Sequence, residues 1–116
     1  MNSEVTDLQD RLRQFAEERD WEQFHSPKNL ATALAVEAAE LLEHFQWLTD
    51  AQSRDLPDDK RAQVSEEIAD VLLYLLQLSD KLGIDPLEAG RRKLKTNAAK
   101  YPPDRARGSS KKYSEL

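Results

Sequence analysis

The chain contains no cysteine. Disulfides and thiolate metal sites are thereby excluded, and carboxylates and two histidines remain as the only good metal ligands. No apolar run approaches the roughly 18 residues that a membrane span needs, so no membrane partner is expected. The opening MNSEVTDLQD lacks the basic and apolar stretches of a secretory signal, which makes a cytoplasmic protein the expectation. Positive charge is not in excess either. The net charge of −5 argues against unaided binding to a nucleic-acid polymer. A phosphate-bearing small molecule remains possible if cations supply the missing charge. There is no internal repeat and no β pattern.

A local absence is more informative. Between residues 29 and 53 there is no lysine or arginine. Within that window the stretch LAVEAAELLEHFQW, residues 34–47, reads as a helix bound for a core. Glu37 and Glu40 nevertheless stand inside it, one helical turn apart, with nothing of opposite charge nearby.

At 116 residues the chain is expected to form one domain. Val5, Leu8, Leu12 and Phe15 recur at spacings of three and four, predicting an amphipathic helix over residues 4–19 with Ser3 as its cap. An aromatic connection, RDWEQFH, follows. Ser26 and Pro27 restart the helix, which is expected to run to about Leu48 and end before the polar loop TDAQSRDLPDD. A third helix is expected over residues 58–82, stopping at Gly83. Asp85 and Pro86 open a fourth, which ends near Lys100. The domain thus covers residues 1–100, and residues 101–116 read as a polar, basic, mobile tail.

In IADVLLYLLQL the apolar residues of the third helix spread around most of its circumference. A helix apolar all round must be covered all round. The expectation is an all-α, four-helix protomer with a largely buried central helix, assembled as a homo-oligomer. The simpler alternative is a compact monomer.

The third helix repeats the acidic motif, with Glu67 and Asp70 three residues apart at the head of its most apolar segment. At about 100° per residue, each pair projects within about 60°. If the second and third helices pack antiparallel, all four acids converge. Four carboxylates in one apolar place repel one another, and a hard divalent cation bound through oxygen is the natural remedy. The competing reading is that the acids are solvated and merely flank the core, as in a non-enzymatic helical interaction module. A di-iron carboxylate bundle requires a Glu-x-x-His pair on each of two helices, whereas the sequence holds one, Glu22–His25, in the aromatic connection rather than within an expected helix.

This constellation, with FAEERDWEQFHSPKNLATAL, EHFQW, EEIADVLLYLL, NAAKYP and KKYSEL, resembles the MazG-like all-α nucleoside triphosphate pyrophosphohydrolases, and within them the dCTP pyrophosphatase branch. The resemblance implies hydrolysis between the α and β phosphates of a nucleoside triphosphate, dCTP or a modified dCTP, to monophosphate and pyrophosphate. It implies Mg²⁺, with Mn²⁺ as a substitute, held by Glu37, Glu40, Glu67 and Asp70, and assembly as a homotetramer. Glu40 or Glu67 would serve as the general base. Trp21 and Trp47 match base-pocket aromatics, Tyr74 and Asn97 match residues at the sugar and phosphate end, and Lys93 and Lys100 would meet phosphate oxygens. The bland alternatives are Trp21 and Trp47 as core aromatics, Tyr74 as a core residue with a satisfied hydroxyl, and Lys93 and Lys100 as surface lysines. One position departs from the pattern. The dCTP-preferring branch carries a histidine on its first helix where this chain has Leu12, which leaves the base preference open.

Overall fold

The computed structural model describes residues 3–116, and every regular element among them is helical. The long elements are α1 (Ser3–Glu18), α2 (Pro27–Glu43), α4 (Asp58–Lys81) and α5 (Pro86–Lys100). Two one-turn helices, α3 (Asp50–Ser53) and α6 (Pro103–Ala106), and two 3₁₀ turns, Glu22–Phe24 and Tyr113–Glu115, complete the chain. The Ser3 side chain, expected to cap α1, lies outside the described residues. No described helix is long and apolar enough to cross a membrane.

The chain divides into two compact units, residues up to Ile84 and residues from Asp85 on. In the first, α4 is the common partner of α1 and α2. Gln9 Nε2 donates to the Leu76 carbonyl at 3.0 Å, and Arg13 grips Asp80 through two bonds of 2.7 and 3.2 Å. These pairings advance together along both helices, so α1 and α4 run parallel. Glu22 pairs with Lys81 while Glu37 meets Glu67 and Asp70 further back. α2 is therefore antiparallel to α4, as the short connection led us to expect.

Ala16, Leu30, Val64 and Leu76 form the small buried core. The central helix is less covered than its composition demands. Ile68 remains 53% exposed, and Leu72 and Leu75 are exposed too. Within one chain, then, α4 is covered on only part of its circumference.

Local chemistry sets the helix ends. Asp20 has φ +53, the left-handed region where a helix C-terminus turns, and Trp21 N–H donates to the Ala16 carbonyl across it at 2.9 Å. Gly83 closes α4 in the same way, with φ +64 and Ile84 N–H donating to the Ser79 carbonyl. Ser26 accepts from Asn29 N–H and caps α2, while Asn29 Nδ2 ties back to the Phe24 carbonyl.

α2 stops at Glu43, five residues short of the expected Leu48, and the expected loop holds α3. The cause is a reciprocal cap. Thr49 Oγ1 accepts from Gln52 N–H at 3.2 Å, and Gln52 Oε1 accepts from Thr49 N–H at 2.9 Å. This pins Thr49 in an extended conformation, φ −74 and ψ 164, so the residues before it leave the helix.

In the second unit, Asp85 accepts from Leu87 and Glu88 N–H groups and starts α5. The stretch expected as a mobile tail carries α6 and a 3₁₀ turn. Tyr113 meets Tyr101 edge-on at 6.1 Å, and Lys100 Nζ lies 4.7 Å from the Tyr113 ring centre. Aromatic and cation–π contacts of this kind give polar sequence a reason to fold back.

Candidate functional site

Antiparallel packing brings the two acidic pairs together. One carboxylate oxygen from each of Glu37, Glu67 and Asp70 lies within 4.8 Å of the others. Metal–oxygen bonds of about 2.0–2.6 Å set opposite ligands about 4–5 Å apart, so a single cation spans such a group. Glu40, half-buried one turn along α2 from Glu37, stands outside this trio.

The electrostatics are unfavourable as they stand. Glu37 Oε2 and Glu67 Oε2 are buried without a hydrogen-bond partner. Among the described residues no lysine, arginine or histidine forms an ion pair with any of the four acids. Burial, then the neighbouring carboxyls of Glu40 and Glu67 and the charge of Asp70, push the Glu37 acid up to about 7. A hydrogen bond between two carboxyls needs a shared proton, so fully ionised acids leave those buried oxygens unsatisfied. Orphaned carboxylate oxygens in an all-oxygen donor set fit a hard divalent cation such as Mg²⁺.

A cleft of about 150 Å³ adjoins the trio. Leu12, Phe15, Trp21 and His25, from the end of α1 and its connection, line one part. Asp70, Leu73, Tyr74 and Gln77 of α4 line the rest. The left-handed turn at Asp20 directs Trp21 back onto α1, where its ring meets Phe15 edge-on at 5.6 Å and His25 at 6.4 Å. Arg19 covers the Phe15 ring at 3.7 Å. Trp21 itself keeps 43% of its surface exposed. Asp70 belongs to both features, and so joins an aromatic cleft to the acidic trio.

The structure brings Glu37, Glu67 and Asp70 together and sets Trp21 and Tyr74 along one cleft with Asp70. Trp47 is not in that cleft. Because α2 ends early, Trp47 follows in a turn, 87% exposed, rather than two helical turns beyond Glu40. Lys93, Asn97 and Lys100 stand on α5 in the second unit, Lys93 exposed and the other two half-buried. The sequence reading left out His25 and Gln77. Asp70, Tyr74 and Gln77 fall at spacings of four and three, a stripe on α4 that marks Gln77 as a cleft residue.

Comparison with known proteins bears on the whole arrangement. The model of a family described as MazG-like matches residues 32–116. The dCTP pyrophosphatase 1 of Homo sapiens is 46% identical over 105 residues, 89% of this chain, and that of Mus musculus is 45% identical over the same length. The chain spans 62% of the length of these curated relatives. The crystal structure of a pyrophosphatase from Archaeoglobus fulgidus superposes with a TM-score of 0.81 at 44% identity, covering 88% of this chain and 95% of that one.

Proposed function

The chain belongs to the MazG-like family, and we propose from that premise that it hydrolyses a deoxynucleoside triphosphate, dCTP or a modified dCTP, between the α and β phosphates. The products are a monophosphate and pyrophosphate. The observation that carries this reading is the double membership of Asp70, which puts an aromatic cleft fit for a base beside acids fit for a cation.

Glu37, Glu67 and Asp70 would hold the cation, with Glu40 alongside. When bound, Mg²⁺ or Mn²⁺ supplies neutralisation of phosphate charge and acidity for a water. Of the two candidate bases we favour Glu40 to accept that water's proton, since Glu67 would be occupied with the cation. Trp21 and Tyr74 both line the cleft, where the Trp21 ring would stack on the base and Tyr74 would meet the sugar. The family resemblance alone assigns Lys93, Asn97 and Lys100 to the phosphate end and Trp47, outside this cleft, to the base. Two buried unpartnered oxygens weigh against a module whose acids are mere surface charge.

The exposed Val36, Ile68, Leu72 and Leu75 support assembly with further copies of the chain. We take the assembly to be a homotetramer, a dimer of dimers. Light scattering that finds a monomer at micromolar concentration removes that part of the reading.

The test of activity is a panel of canonical and modified triphosphates with Mg²⁺, reading monophosphate, pyrophosphate and orthophosphate separately. Monophosphate with pyrophosphate, lost on chelation, is expected. Monophosphate with two orthophosphates, or no hydrolysis of any triphosphate, overturns it.

A further inference from the structure

The cleft beside the acidic trio holds one amide whose nitrogen is already engaged by its own helix. Its first-helix liners, Leu12 and Phe15, are hydrocarbon, as is Leu73. Asp70 is engaged with the other acids. Four polar groups remain to read the edge of a base: the Trp21 indole N–H, which only donates, and His25, Tyr74 and Gln77.

They are not equivalent. A neutral imidazole exchanges donor and acceptor between its nitrogens, and a phenol rotates its proton, so His25 and Tyr74 each adapt to a donor or an acceptor. Gln77 does not. Its Nε2 donates to the Leu73 carbonyl at 3.2 Å, and a carbonyl accepts only from the nitrogen end of the amide. The planar amide is therefore held with nitrogen toward its own helix and Oε1 on the opposite side. No donor among the described residues is hydrogen-bonded to Oε1. Gln77 thus keeps an acceptor available where it lines the cleft, and the same side chain borders the small adjoining pocket with Gln9 and Arg13.

We propose that Gln77 is a specificity-determining residue, its Oε1 accepting from the exocyclic amine of the substrate base. An acceptor there favours a cytosine N4 amine and disfavours uracil or thymine, whose O4 would meet another oxygen. A site built to bond a substrate N–H rejects an analogue lacking it, because the site's polar atom is then left unpaired. This inference rests on the dCTP reading of the cleft and adds the residue and the atom that would discriminate cytosine from uracil.

The experiment compares kcat/KM for dCTP and dUTP, with Mg²⁺, in the wild type, Gln77→Met and Gln77→Glu. Binding of dCMP and dUMP is measured in parallel by calorimetry, and the melting temperature of each variant checks its fold. Wild type should favour the cytosine nucleotide. Gln77→Met, similar in volume but without the amide, should lower the dCTP-to-dUTP ratio about tenfold, the worth of one ordinary hydrogen bond. Gln77→Glu keeps an acceptor and should retain the preference even if overall turnover falls. A ratio unchanged in Gln77→Met, or a wild type that favours dUTP, overturns the role of Gln77 and leaves the enzyme reading intact. Failure of every variant and the wild type to bind or hydrolyse any nucleotide overturns both.

Discussion

Removing divalent cations and raising the pH from about 5 to about 8 should destabilise this protein, and Glu37 sets the size of the effect. Its carboxyl rises from an ordinary 4.5 to about 7 in the fold, chiefly through burial and then through Glu40, Glu67 and Asp70. The folded chain therefore holds this proton more tightly than the unfolded one. The stabilisation is fully present below 4.5 and is lost as pH climbs through about 7. At ~1.36 kcal/mol per pKa unit the ceiling is ~3.4 kcal/mol. Neighbouring acids share the proton and solvent reaches the exposed Asp70, which reduces the expected loss to roughly 1.5–2 kcal/mol. In a chain of this size that corresponds to a fall of roughly 5–10 °C in melting temperature. Calorimetric melts in chelator across that pH range measure it, with Glu37→Gln as the control. The glutamine variant, with no proton to lose at this position, should show a much flatter profile. Equal slopes for Glu37→Gln and wild type would refute the argument, because the buried acid would then not be the group responsible.

Three further outcomes are expected. Glu40→Gln should reduce turnover by about 10²–10⁴-fold while the circular dichroism spectrum is preserved, as removal of a general base requires; steady-state kinetics with a melting control decide it. Trp21→Ala should raise the KM for dCTP on the order of tenfold with a smaller change in kcat, since base stacking is worth ~1–3 kcal/mol and in the proposed mode the ring meets the base rather than the phosphates. Leu30→Ala, at a position only 1% exposed, should cost ~2–5 kcal/mol by leaving a cavity, measured by urea denaturation.

Periodicity and punctuation made much of this molecule legible. The Ser26–Pro27 start, the Gly83 stop and the Asp85 cap are single-residue signals, and each lies where the chain turns. The convergence of Glu37 with Glu67 and Asp70 followed from spacing plus one packing assumption. What escaped depended on competition between neighbours. An apolar run through Trp47 looks like continuing helix, but Thr49 and Gln52 satisfy each other's backbone groups, and that cap ends the run early. The tail's composition says disorder, while a single tyrosine finds Tyr101 and Lys100. Gln77 was missed because a lone amide in a leucine-rich helix carries no signal until Tyr74 and Asp70 are seen to share its stripe.

Helix α4 passes from the acids at Glu67 and Asp70, along the cleft wall to Gln77, and on to Asp80 and Lys81, which clasp Arg13 and Glu22. From Asp70 to Asp80 the rise is about 15 Å. The cavity is consequently fastened at its two extremities by unlike chemistry. Added salt should slacken the guanidinium and ammonium clasps, whereas the acidic end carries carboxyls without a cationic partner and would tighten on any cation held there.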